Sequence, residues 1–326
     1  MAAKQEAHEL LQDLERVTRD LNRIPNRVEY QNLGRFNTQA ILDIFGSYAL
    51  MLKASGLSYS RGKVTKKEKQ QQAFEHLKKE IEERVTPFAK PPQVYSHIFV
   101  WPDRHHPYSH PDTISFLIAI NRKYNFDLIV DIGDGEDFHA LSFHDSDSDI
   151  LSAGHELEQV IKEYQPLYKE FPKMMICESN HSSMVYRKGK HHGLPRRVLK
   201  SYREMLEAPA GWEWHHEIII QMSNGQKVLF HHGLSSNVLA ASQKRSISLV
   251  QGHFHSKHSI QYWENSENKY FAAQTGCLID DKSYAFAYNK LTIERPILGC
   301  LRIENGIPHL LPMQLDKSGR WNGVIP

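Results

Sequence analysis

From Gln93 onward the chain repeats one pattern five times: an apolar run of β-forming residues stops at a cluster of Asp, His, Asn or Gly. Residues 94–101 stop at Pro102-Asp103-Arg104-His105, and residues 126–132 at Gly133-Asp134-Gly135-Glu136-Asp137. Residues 173–177 lead to Asn180-His181, residues 227–230 to His231-His232-Gly233, and residues 247–251 to Gly252-His253-Phe254-His255. In open α/β sheets the carboxyl ends of strands gather at one crevice, and a strand end holds a side chain more firmly than a loop does. The five clusters are therefore expected to meet. Helical periodicity appears at 112–124 and 151–170, with a further helix expected at 196–207. Asn224-Gly225 marks a hairpin turn between strands at 218–222 and 227–230. Further strands are expected near 259–263, 269–274, 284–293, 297–304 and 308–313. Strand–helix alternation followed by strands implies a layered α/β domain.

The N-terminal part reads differently. Residues 1–23 form an amphipathic helix, with Leu10, Leu14, Val17 and Leu21 at helical spacing, and Pro25 ends it. Helices are expected at 38–45 and 48–54, which makes 1–58 a small all-helical domain. A basic linker and helix follow over 59–92, with the helix at 71–84 and Pro87, Pro91 and Pro92 marking the boundary to a domain over 93–326. Arg61, Lys63, Lys66, Lys67 and Lys69 face a single acid, Glu68, and form either a solvated linker or a nucleic-acid contact.

Of the 20 histidines, 18 fall between His97 and His309, many beside Asp, Asn or Gly. Histidine is the commonest metal ligand. The net charge of +2 excludes a strongly basic nucleic-acid coat and leaves room only for local patches. No window has the 18 uncharged apolar residues of a membrane helix, and the charged start lacks an apolar signal region. A cytosolic location is expected. Cys177, Cys277 and Cys300 have neither a disulfide nor a zinc-finger spacing.

The clusters share one chemistry. Asp103 and His105 can lie on one side of an extended segment. A carboxylate with an imidazole suits Zn²⁺, Mn²⁺ or Fe. Asp134 can bridge two cations, with Asn180 and three more imidazoles completing the coordination. Two close cations would activate a shared water as hydroxide and neutralise the oxygens of a phosphate ester. His181, beside Asn180, could then protonate the leaving oxygen. Any one cluster alone would read as turn residues.

The series Asp-x-His, Gly-Asp-x-x-Asp, Asn-His, His-Gly and Gly-His-x-His, in that order over roughly 94–280, resembles the calcineurin-like metallophosphoesterase superfamily. The resemblance implies a double β-sheet sandwich flanked by helices. It implies that Asp103, His105, Asp134 and His255 hold one metal, and that Asp134, Asn180, His232 and His253 hold the other. It favours His232 over His231 as the ligand before Gly233, and Mn²⁺ as the ion, with Fe, Zn and Ni as alternatives. Pro102, Ser179 and Ser182 depart from the usual pattern but remove no ligand. His106-Pro107-Tyr108, Ala140-Leu141-Ser142-Phe143 and Gln274-Thr275-Gly276-Cys277 resemble a bacteriophage and bacterial branch, so the cytosol of a bacterial host is the place if the chain is phage-encoded.

Residues 22–30, Gly34-Arg35-Phe36, Phe45-Gly46-Ser47-Tyr48 and Lys53-Ala54-Ser55-Gly56-Leu57 are similar to the homing-endonuclease-associated repeat, which implies contact with DNA. The expected function is a phosphodiesterase or nuclease acting on DNA. The alternative is hydrolysis of small nucleotides, phosphomonoesters or phosphoproteins. Arg187, His191 and His192, in a basic group with Lys188, Lys190, Arg196 and Arg197, either hold substrate phosphates or form a solvated loop and helix start. His106, His110, His139 and His144 line the substrate groove or sit in solvated loops. Asp137 is expected to orient a ligand imidazole. Trp212 and Trp214 flank an edge strand and pack in the core, or stack on a base.

Overall fold

The computed structural model describes residues 2–57, 74–75, 78, 94–142, 151–280, 282–283 and 295–326. The basic stretch 59–70, the linker 86–92, Phe143, His144 and the strand expected at 284–293 lie outside the described residues. So does the helix expected at 71–84, apart from Phe74, Glu75 and Lys78, which are helical. The chain folds as two compact units, Met1–Leu77 and Lys78–Pro326. Among the described residues no helix is long and apolar enough to cross a membrane.

The first unit holds α1 (Ala2–Leu21), α2 (Arg27–Leu33), α3 (Thr38–Phe45) and α4 (Tyr48–Ala54). Leu10, Leu14 and Val17, one face of α1, bury against Tyr30, Ile41, Met51 and Leu52. The sequence expectation missed α2. Its signal was local: Asn26 caps the helix and Glu29 returns the bond to the Asn26 amide, a complete capping box. Asp13, buried on α1, ties the unit together. Its Oδ2 accepts from the Tyr30 hydroxyl at 3.0 Å and the Arg35 amide at 2.7 Å, and its Oδ1 from Arg16 Nε at 2.9 Å.

Among the described residues the second unit is built on two six-stranded sheets. Sheet I contains β2 (His97–Trp101), β3 (Leu128–Asp131), β4 (Lys173–Cys177), β5 (Gly211–His215), β11 (Gly299–Glu304) and β12 (Ile307–Pro312), in the order β12-β11-β2-β3-β4-β5. Sheet II contains β1 (Val94–Tyr95), β6 (Ile218–Met222), β7 (Lys227–His231), β8 (Ser248–Gln251), β9 (His258–Glu264) and β10 (Lys269–Thr275), in the order β1-β6-β7-β8-β10-β9. The central strands β2, β3 and β4 run parallel, as do β7, β8 and β10.

Period two explains the layering. Ile98 and Val100 of β2 face the inter-sheet core with Val130, Phe230 and Val250. Phe99 and Trp101 face the opposite way, onto α5 (Thr113–Tyr124) and α6 (Ala153–Glu170) through Phe116, Leu117, Val160 and Tyr164. Beyond sheet II, α9 (Val238–Arg245) covers Leu229, Leu249 and Ala272. A strand buried on both faces must be apolar throughout, which is why residues 97–101 show no alternation. The result is the double sandwich flanked by helices that the resemblance implied. One expected element differs: the helix at 196–207 is instead a 3-10 turn (Arg196–Val198) and a short helix, α8 (Tyr202–Met205). Ser201 interrupts the helical periodicity by capping α8 from its side chain, in a capping box with Glu204. α7 (Met184–His191) and α9 were not expected. Trp212 and Trp214 lie on the edge strand β5 and pack in the core.

Burial raises the pKa of Asp13, but the Arg35 amide and the Arg16 and Tyr30 side chains outweigh it and hold the carboxyl below its ordinary value. A carboxyl with a lowered folded-state pKa stabilises fully above about pH 4, and that stability is lost as pH falls through the folded value. Asp13→Ala is therefore expected to cost the helical unit about 2 kcal/mol at neutral pH. Hydrogen exchange of the α1–α3 amides measures this, and the gap between parent and variant should close in acid.

Candidate metal centre

Every candidate ligand follows a strand end. Asp103, Asp134 and Asn180 come from β2, β3 and β4 of sheet I, and His232 and the His253/His255 pair from β7 and β8 of sheet II. The turns are tight enough to put His105 (φ 50°), Asp134 (φ 48°) and His253 (φ 68°) in the left-handed region. For residues with a Cβ this region is strained by about 1–3 kcal/mol each, and such strain concentrates at functional sites.

The donor atoms fall into two groups joined by Asp134. In the first, His255 Nε2 lies 3.1 Å from Asp103 Oδ2 and 3.1 Å from His105 Nε2, and His105 Nε2 lies 3.4 Å from Asp134 Oδ2. In the second, His232 Nε2 lies 2.7 Å from Asn180 Oδ1, 3.1 Å from His253 Nδ1 and 3.1 Å from the same Asp134 Oδ2. The ligand atoms of Asp103, His105, Asp134 and His255 all lie within 4.8 Å of one another, as do those of Asp134, His232 and His253. His231 lies outside both groups, its ring against His216.

This set fits divalent transition ions. Imidazole nitrogens directed at one another and at carboxylates bring several lone pairs to one point, which a cation satisfies and a hydrogen-bond network satisfies only in part. Asp103 Oδ1 is buried without a hydrogen-bond partner, a carboxylate oxygen held ready for a further ligand. The backbone leaves the space open. A Cβ on Gly252 would lie 2.2 Å from Asp103 Oδ1, and one on Gly133 2.8 Å from the Cys177 carbonyl.

Surrounding groups fix which nitrogen faces inward. His232 Nδ1 donates to the Ile132 carbonyl at 3.1 Å, leaving Nε2 for the centre, and His105 Nδ1 meets Asp137 Oδ1 at 2.5 Å. His181 Nδ1 donates to the Asp137 carbonyl, and its Nε2 lies 3.9 Å from Asp134 Oδ2. Burial holds the His105 pKa well below the ordinary value, as does the neighbouring His181. At His232 burial also lowers the pKa, but the Asp134 carboxylate overrides it and lifts it to about 9. Burial works in the same direction at His181, where Asp134 and Asp137 win and the pKa rises.

The other expected site residues divide. Arg187 is exposed on α7 and its Nη2 donates to the carbonyl of Asn180 at 2.6 Å. His191 and His192 lie at the far end of α7, exposed, with ring centroids 5.1 Å apart. Neither is brought into the donor groups. Arg196 covers the ring of Tyr186 at 4.2 Å, and Lys188 Nζ donates to the Ser142 carbonyl at 3.1 Å. His106, His110 and His139 are buried, so they form neither a solvated loop nor an open groove wall. The cis His106–Pro107 bond follows the first cluster. The three cysteines are buried and free. Sequence reading gave no role to Glu156, whose carboxylate accepts from the His139 and Ala140 amides at 2.8 and 3.1 Å and so holds the turn next to Asp137. Its position in a plain helical pattern offered no signal.

Two outcomes follow from this geometry. Gly252→Ala should displace the Asp103 carboxylate and weaken transition-metal binding by about 10-fold or more while the fold survives, as read by calorimetric titration with Mn²⁺. Ligands must be deprotonated to bind metal, so the raised pKa of His232 makes binding compete with a proton. Affinity should therefore rise by about tenfold per pH unit for each proton released, up to about pH 9. Titrations at several pH values in buffers of different ionisation enthalpy would count the protons.

Residues 6–58 match the family model described as Homing endonuclease associated repeat. No curated protein matches the chain. Among solved structures, Vps29 of Chaetomium thermophilum is 12% identical, covers 71% of this chain and 95% of its own, and superposes with a TM-score of 0.38. Vacuolar Protein Sorting 29 of Cryptosporidium parvum is 11% identical over 72% of this chain and 96% of its own, with a TM-score of 0.36. NAD nucleotidase (NadN) of Haemophilus influenzae is 10% identical over 71% of this chain, which spans 54% of that protein, with a TM-score of 0.30. The N-terminal helical unit of this chain is thus similar to the homing endonuclease associated repeat.

Proposed function

We propose that the chain is a calcineurin-like metallophosphoesterase that uses two metal ions to hydrolyse phosphodiesters, with DNA as substrate. The observation that carries this reading is the convergence of seven donor residues from five strand ends into two groups that share Asp134.

Asp103, His105, Asp134 and His255 would hold one ion, and Asp134, Asn180, His232 and His253 the other. When bound, two divalent transition ions, Mn²⁺ first among them, supply an activated water and neutralise phosphoryl oxygens. The chain's own residues do the rest. Asp137 orients the rings of His105 and His181. His181 presents Nε2 beside Asp134, where it can pass a proton to the leaving oxygen. Arg187, exposed and tied to the backbone of Asn180, would bind a second phosphate of an extended substrate. His191 and His192 would extend that contact along α7.

Support for DNA comes from the homing endonuclease associated repeat at 6–58. One observation favours the second reading, a small nucleotide, phosphomonoester or phosphoprotein substrate. Residues 2–57 carry seven Lys and Arg against seven Asp and Glu, a net charge of zero, which gives the helical unit little pull on a phosphate backbone.

With Mn²⁺ the protein should hydrolyse bis-p-nitrophenyl phosphate and degrade DNA. Asp134→Ala should abolish both activities, and His181→Ala should lower them by about 100-fold or more. Arg187→Ala should raise KM for DNA more than for the small diester. Removal of residues 1–58 should weaken DNA cleavage alone; equal DNA cleavage without them would favour the second reading. Activity on DNA that survives both Asp134→Ala and His181→Ala would sink the assignment.

A further inference from the structure

The turn after β2, left-handed at His105, brings Asp103 and His105 to the donor groups and sends Arg104 into the aromatic core between sheet I and its helices, on the side of Trp101 and Tyr164. The guanidinium there is 1% exposed. It lies 4.9 Å from the ring centroid of Trp101 and 5.9 Å from that of Tyr164. Its Nη2 donates to Asp131 Oδ2 at 2.7 Å and to the Tyr164 hydroxyl at 3.4 Å, and that hydroxyl donates in turn to Glu136 Oε2 at 3.4 Å. Two further donors, Nε and Nη1, are buried with no hydrogen-bond partner. A buried cation with dry donors is costly.

The guanidinium borders a small cavity whose wall also includes Glu136, Tyr164 and Trp212, and which has room for about one water molecule. The turn Gly133-Asp134-Gly135 lines it as well. Contact with that turn is tight: a Cβ on Gly135 would lie 2.4 Å from Arg104 Nη2 and 2.6 Å from the Tyr164 hydroxyl. The backbone joins the same two segments, because the Arg104 and His105 amides both donate to the Asp134 carbonyl at 2.9 Å.

We infer that Arg104, with a water bound in this cavity, anchors the Asp134 turn from behind and is a positioning residue for metal binding. The inference rests on the two-metal reading. Water is the ligand class that fits: the cavity is too small for an oxyanion, and the Asp131 carboxylate already neutralises the guanidinium. An anchored turn holds the shared carboxylate at the height both donor groups need. A loosened turn lets it drift while the sandwich stays folded.

Calorimetric Mn²⁺ titration of the full chain tests this on the parent, Arg104→Lys and Tyr164→Phe. Arg104→Lys keeps the charge and removes the planar fork. It should weaken Mn²⁺ binding by about 10–100-fold with the circular dichroism spectrum unchanged. Tyr164→Phe removes one hydroxyl and should shift affinity in the same direction by less. A role in packing alone would lower Tm and leave Mn²⁺ affinity where it was. A crystal structure of the parent should show a water within hydrogen-bond distance of Arg104 Nε or Nη1. Folded variants that bind Mn²⁺ like the parent, or a dry cavity, overturn the inference and leave the metal reading intact. A parent that binds no Mn²⁺ overturns both. If Arg104→Lys fails to fold, Tyr164→Phe and the crystal structure decide.

Discussion

The Asp134 carboxylate is the point on which the second unit is arranged. Its Oδ2 lies 3.1 Å from His232, 3.4 Å from His105 and 3.9 Å from His181, side chains that arrive from three other strand ends. Such an atom can sit at the middle of several imidazoles only if its own backbone is held rigidly. The turn does this by accepting two amides from the end of β2 and by adopting a left-handed conformation between two glycines. Burial alone would protonate a carboxyl here, but the neighbouring imidazoles hold its pKa well below the usual range.

The centre is embedded in polar groups that serve it at one remove. Asp137 touches His105 through its side chain and His181 through its carbonyl, so one residue sets the orientation of a proposed ligand and of the proposed proton donor. Glu156 in turn pins the amides of His139 and Ala140. Burial pushes the Glu156 carboxyl up to about 7, so this support lies close to its protonation boundary at neutral pH. On the core side, Arg104 and Asp131 form an ion pair inside aromatic packing, an arrangement stable only because each partner offsets the other's loss of water.

Much of this was legible in the sequence. Asp103 and His105 were expected side by side from their spacing on an extended segment, and they do share a donor group, but across a turn in which His105 is left-handed and not along a continued pleat. The abrupt change from apolar run to Asp or His located each turn. What the spacing could not supply was the partner of each inward residue. Arg104 stood in the first cluster with no visible role, because its counterion Asp131 and its ring contact Tyr164 come from β3 and α6, distant in sequence. The helices α7 and α9 were missed because each is only eight residues long and is held by packing, not by a long periodic stripe. The buried state of His106 and His139 was equally hidden, since a histidine beside a metal cluster reads as a groove residue until the third dimension is known.

The donors come from both sheets, and what separates the sheets is hydrocarbon. Asp103, Asp134 and Asn180 ride on one slab and His232, His253 and His255 on the other, with Val100, Val130, Phe230 and Val250 as the filling between them. The thickness of that filling therefore sets the bite of the two donor groups, much as a shim sets the gap of a vice. Trimming Val130 or Phe230 would let the slabs settle and alter ionic-radius preference without touching a single donor. Any preference of these donor groups among metal ions would in that sense be a mechanical property of the apolar interior.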